Sequence, residues 1–329
     1  MLGGMAQNAP PRANHMANAA PTMFRGPKRM AFERSKAVLS KVGMALAFDA
    51  APADQKHIVD VLIAERGERM VKHPLWPVLR PLLYRTLHYH EAVRMADDLA
   101  PLSGLDGLEY LSSLLKLSMT VTGRERIPTE GGFILVANHP TGIADGIAVY
   151  DAIKPVRTDL AIFTNRDAVR VNRRFADVLI PVEWRAREKS SSKTRETLKE
   201  TNRAVDEGRA IIVFPSGRIA YWANGGLNER PWQTSAVAIA RRYGLPVLPV
   251  HVSARNSGLF YWFANWNTEL RDMTVFHEVL NKKGKPFSVH FGPMIGPEML
   301  DGDLNHVTGR LQSHCAEELK HNHHAEFRA

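Results

Sequence analysis

The chain has 329 residues, is 44% hydrophobic and carries a formal charge of +9, so it can bury a substantial core and is too apolar for wholesale disorder. Its one cysteine, Cys315, excludes an internal disulfide and a Cys-x-x-Cys metal or redox pair, and suits a reducing compartment. The charge favours anionic partners, whether lipid headgroups, nucleic acid or an acidic cofactor such as coenzyme A, and says nothing about fold.

Residues 1–30 hold four Lys/Arg, four prolines and no acid. They read as a flexible basic arm and lack the apolar h-region of a secretory signal. No window reaches the roughly 18–20 apolar residues of a spanning helix. The expected location is therefore peripheral, at the cytoplasmic face of a membrane. Residues 31–120 show helical spacing at Val38, Val42, Ala45 and Leu46 and at Ile58, Val61 and Leu62. Pro74, Pro77 and Pro81 divide this region into several short helices. The run Leu75-Trp-Pro-Val-Leu-Arg-Pro-Leu-Leu83 interleaves apolar residues with Arg80 and suits an interfacial helix with a cationic edge.

From about residue 121 the pattern becomes strand, helix, strand. Strands are expected at Phe133–Ala137, Leu160–Thr164, Val178–Val182, Ala210–Phe214, Val247–Val252 and Phe287–Phe291, with helices at Ala144–Ile153, Ser190–Glu207 and Thr234–Tyr243. This alternation implies βαβ crossovers. The fold class is α/β, with a largely parallel mixed sheet flanked by helices over residues 121–312 and a helical N-terminal region before it. The aromatic run Gly258–Trp266 fits either a core helix or a surface that meets acyl chains and the bilayer interface. Residues 313–329 are polar and His-rich. Without ligand spacing they read as a disordered tail, not a metal site.

Two polar loops follow strands and so fall at the carboxyl edge of the sheet, where open α/β sheets bind ligands. The first is Asn138-His-Pro-Thr-Gly-Ile-Ala-Asp145-Gly146. Folded back, it would set the Asp145 carboxylate on one nitrogen of His139 and leave the other free to take a proton. Such a base has no nucleophile of its own, so the nucleophile would be a substrate hydroxyl. The same residues also fit a plain helix N-terminus. The second loop is Pro215-Ser216-Gly217-Arg218. It reads as an ordinary turn or as a site where a guanidinium grips phosphate.

Taken together, these segments resemble the glycerolipid acyltransferase superfamily, which includes 1-acylglycerol-3-phosphate acyltransferases. Asn138, His139 and Asp145 resemble its first block. Phe214, Pro215, Gly217 and Arg218 resemble its third, with Ser216 in place of the usual glutamate. Leu245-Pro-Val-Leu-Pro-Val250 resembles its fourth, while Asn165-Arg166-Asp167 and Arg185 stand where the second is found. Five residues separate His139 from Asp145, one more than is common. That looser pattern, with Glu278–Gly284, is similar to the hemolysin-like or lyso-ornithine-lipid branch. The resemblance covers about residues 120–295.

The resemblance implies acyl transfer from acyl-CoA or acyl carrier protein to the hydroxyl of a lysophospholipid-like acceptor at a membrane surface, with no bound cofactor or metal. It makes His139 and Asp145 catalytic and assigns Asn138, Arg166, Arg185, Ser216, Gly217 and Arg218 to substrate binding. Oxyanion donors are expected among the backbone N–H groups around Gly217 or near Thr141 and Gly142. The rival classes fit less well. A hydrolase needs a Gly-x-Ser-x-Gly elbow, a nucleotide enzyme needs a glycine-rich phosphate loop, and a zinc protease needs His-Glu-x-x-His; the chain has none of these. The non-enzyme alternative is an inert acyltransferase fold acting as a basic membrane-binding module.

Overall fold

The computed structural model describes residues 56–183 and 188–328. All six expected strands form. They are β2 (Phe133–Ala137), β3 (Leu160–Asn165), β4 (Leu179–Val182), β5 (Ala210–Val213), β8 (Val247–Ser253) and β9 (Pro286–Phe291). Three further strands are β1 (Ser118–Thr122) and the antiparallel hairpin β6 (Tyr221–Ala223) and β7 (Gly226–Asn228). The main sheet is ordered β1-β9-β8-β2-β5-β3-β4. From β8 to β4 every pair is parallel, β9 runs antiparallel to β8, and β1 runs parallel to β9. The sheet is thus mixed and mostly parallel.

The strands are near-continuously apolar because helices cover both faces. Along β2, Phe133, Leu135 and Ala137 enter one core and Ile134 and Val136 the other. The first face is covered by the helices of residues 58–115, by Ile143–Ile153 and by Gly258–Trp266 and the short helices after it. Residues 191–206, 235–243 and 304–321 cover the second. The crossover from β2 to β3 passes over β5, which returns to lie beside β2. The carboxyl end of β2 is therefore flanked by those of β5 and β8.

The expected disordered tail is corrected. Helix Leu304–Ser313 continues through a π-helical turn, His314–Glu318, into Leu319–His321. Val307, Leu311, Cys315, Leu319 and Phe327 are buried, and apolar burial outweighs the polar composition. Arg126 Nη1 donates to the carbonyls of Phe291 (2.5 Å) and His323 (2.6 Å), fastening the end of the chain to the sheet. The expected cationic edge of the helix Trp76–Thr86 is also corrected. Arg80 is buried and lies over the Tyr84 ring at 5.8 Å, while Leu75, Val78, Leu79 and Leu82 face outward. The 1–30 arm and Arg185 lie outside the described residues. No helix among the described residues is long and apolar enough to cross a membrane.

Candidate active site

His139 follows β2, and Asp145 sits in the first turn of the next helix, Ile143–Ile153. The chain turns between them at Gly142, whose φ of 99° is open to glycine and strained for other residues. A Cβ at Gly142 would stand 2.8 Å from Ile219 Cδ1, a side-chain end that can shift, so the positive φ is the stronger demand for glycine. Asp145 is fully buried. Its Oδ2 accepts from the backbone N–H groups of Thr141 (2.8 Å) and Gly142 (2.9 Å), and its Oδ1 accepts from Thr141 Oγ1 at 2.5 Å. Three donors at a helix N-terminus hold the carboxylate in one place.

His139 Nδ1 lies 3.0 Å from Asp145 Oδ2, off the line a hydrogen bond prefers, so the two groups touch without an aligned bond. Loose catalytic contacts of this kind are common before substrate binds. Asp145 therefore caps the helix and also lies against His139.

The expected oxyanion donors at Thr141 and Gly142 are corrected, because both N–H groups are spent on Asp145. The Gly217 N–H is likewise bonded to Phe214 O at 3.0 Å. Asn138 exchanges two bonds with Val252, its Oδ1 accepting at 2.6 Å and its Nδ2 donating at 2.9 Å. It thereby extends the pairing of β2 with β8 past the end of the strand. Ser216 donates to Arg218 O at 2.9 Å within its own turn. Arg218 is exposed beside that turn, and the chain then passes under His139, with Ala220 N donating to His139 O at 2.9 Å. Arg166 stands apart at the end of β3. Its Nη1 pairs with Glu196 at 2.8 Å, while its Nε and Nη2 are buried with no hydrogen-bond partner.

The loops after β2, β5 and β8 thus meet around His139. Phe214 packs its ring against the imidazole at 4.6 Å between centroids. Asn256, after β8, donates to Thr141 O at 3.3 Å. Asn256 is held by the start of the aromatic helix, where Glu278 accepts from Ser257 N–H (3.0 Å) and Oγ–H (2.5 Å) and pairs with buried Lys282 at 2.8 Å. Burial opposes the Glu278 charge, but Lys282 and Ser257 outweigh it and hold the carboxyl below its ordinary range. The helix itself is two-sided. Phe260 and Phe263 are buried, while Trp262 and Trp266 are 58% and 70% exposed.

One residue near His139 escaped the sequence reading. Glu229, after β7, accepts from the backbone N–H of His139 and, at 2.7 Å, from Trp232 Nε1. Burial pushes its carboxyl above the ordinary range, against the pull of those two donors. No fixed spacing announces this residue. The only local signal was the Asn224-Gly225 pair, a hairpin turn that brings the chain back. No group of three or more His, Cys, Asp or Glu among the described residues could hold a metal ion.

A buried carboxylate against an imidazole, at the open edge of a sheet, can orient a base for a hydroxyl brought by a substrate. The sequence profile of the Acyltransferase family matches residues 118–253, which hold all of these loops except Asn256 and the aromatic helix. Over that stretch the chain is similar to the family, and it is an acyltransferase.

Two relatives are similar across much of the length. The lyso-glycine lipid O-acyltransferase of Bacteroides thetaiotaomicron is 24% identical over 254 residues, covering 74% of this chain and 89% of that protein. The lyso-glycine lipid O-acyltransferase of Phocaeicola vulgatus is 26% identical over 205 residues, covering 60% and 71%. Among solved structures, the 1-acyl-sn-glycerophosphate acyltransferase PlsC of Thermotoga maritima superposes with a TM-score of 0.41 at 18% identity, over 67% of this chain and 82% of that one.

Proposed function

We propose that this enzyme moves a fatty acyl group from the thioester of acyl-CoA or acyl carrier protein to the hydroxyl of a lyso-lipid with an amino-acid headgroup. The observation that carries the mechanism is His139 Nδ1 set 3.0 Å from the buried Asp145 carboxylate. With Nδ1 turned to Asp145, Nε2 takes the proton of the acceptor hydroxyl as its oxygen attacks the thioester carbonyl. Asp145 stabilises the imidazolium that forms. Collapse of the tetrahedral intermediate breaks the C–S bond, and the imidazolium returns its proton to the leaving thiolate.

The acceptor class is supported by the names of the two relatives and by Arg218. Arg218 is exposed two residues before Ala220, which bonds to His139 O, and its guanidinium suits a headgroup carboxylate or a donor phosphate. Outward apolar residues, Leu75, Val78, Leu79 and Leu82 at one helix and Trp262 and Trp266 on another, support peripheral docking on the membrane that holds the acceptor.

The test is an acyl-transfer assay with purified protein, both donors, and a panel of lyso-glycine lipid, lyso-ornithine lipid and lysophosphatidate. An O-acylated amino-lipid is the expected product. Acylation of lysophosphatidate alone would replace the proposed acceptor class.

A further inference from the structure

We propose that Glu229 is a positioning residue of the acyl-transfer site, fixing the His139 main chain so that the imidazole keeps its place against Asp145. The proposal rests on the reading of His139 as the base.

Both polar backbone groups of His139 are held by one segment of the chain. Its C=O accepts from Ala220 N at 2.9 Å, just before the hairpin β6–β7. Its N–H donates to Glu229, just after it. Glu229 is itself fixed, since its second oxygen accepts from the indole of Trp232 at 2.7 Å and Trp232 is buried. Both carboxylate oxygens thus face N–H donors, an arrangement that needs two acceptors and no proton between them. Ser216, nearby in the same loop, bonds only within its own turn and offers His139 no charge.

An amide cannot replace this group. Glutamine has one acceptor oxygen, so its NH2 must oppose either the His139 N–H or the Trp232 indole N–H. His139 would then be free to shift. Its Nδ1 already lacks an aligned bond to Asp145, so the ring keeps its place through packing, Phe214 included, and through the position of its main chain. A displacement of about 1 Å of a reacting group can cost on the order of 100-fold in rate.

The experiment measures kcat and KM for donor and acceptor, with thermal unfolding, for wild type, His139→Ala, Glu229→Gln, Trp232→Phe and the Glu229→Gln/Trp232→Phe double variant. For Glu229→Gln, kcat should fall by about 10² while both KM values stay within about twofold. Trp232→Phe should fall less, and the double variant no further than Glu229→Gln alone, because the indole acts through the carboxylate. A wild-type kcat in Glu229→Gln beside an inactive His139→Ala overturns the proposal and leaves the base reading standing. A change confined to KM also overturns it. Full activity in both His139→Ala and Glu229→Gln removes the base reading and the proposal with it. If Glu229→Gln does not fold, Trp232→Phe decides, and an undiminished kcat there overturns the proposal.

Discussion

Asp145 carries three hydrogen bonds and the contact with His139 on a fully buried carboxylate. Asp145→Ala removes both acceptor oxygens and leaves the buried N–H groups of Thr141 and Gly142 unpaired. A buried donor left unpaired costs about 1–3 kcal/mol. The variant should lower the unfolding midpoint in urea as well as turnover, whereas a purely orienting role would spare stability. His251 offers a second, independent test. Its Nδ1–H donates to Cys315 O at 2.8 Å and its Nε2 accepts from Ser253 Oγ at 2.9 Å, and burial lowers its pKa from 6.5 to about 4. Between those values the unfolded chain binds a proton that the folded chain refuses. Stability should therefore be fully present above pH 6.5 and decline towards pH 4 by up to about 1.4 kcal/mol per unit. Urea titrations across that range should show the decline, and His251→Gln should flatten it by about one proton.

The strands covered on both faces were legible because they are short apolar runs closed by Gly, Pro or polar residues. All six appeared within two residues of the expected ends. β1 was missed because Ser118-Met-Thr-Val-Thr122 is a half-exposed edge strand with no run to see. The hairpin was missed although Asn224-Gly225 is a strong turn signal, since strands of three residues carry no alternation. In the candidate site, His139 and Asp145 were legible because both lie within one contiguous motif. Glu229 was not, because its place depends on a turn and not on spacing. The helix Gly258–Trp266 shows what aromatic composition leaves open, since it is core on one side and exposed on the other. If it docks on lipid, Trp262→Ser/Trp266→Ser should reduce flotation with anionic vesicles while leaving secondary structure unchanged. Raising salt should weaken wild-type flotation without abolishing it, because screening removes only the charge contribution.

Across the whole molecule, the C-terminal segment belongs to the core. Val307, Leu311, Cys315 and Leu319 recur at helical spacing beneath the polar and His-rich surface, a periodicity that composition alone concealed. Truncation after Ser313 removes Cys315 and Phe327 from the second core, and buried Leu319 with them, and should leave the protein aggregated or unfolded in circular dichroism. Leu319→Ala alone should cost about 2–5 kcal/mol. The two cores clamp the sheet so that the loops after β2, β5 and β8 converge around His139. The deciding measurement is steady-state acyl transfer from an acyl thioester to a lyso-amino-lipid by His139→Ala beside wild type, at matched folded concentration. Loss of the general base predicts a fall in kcat of about 10²–10⁴ with an unchanged unfolding temperature. A folded His139→Ala protein turning over at the wild-type rate would contradict it.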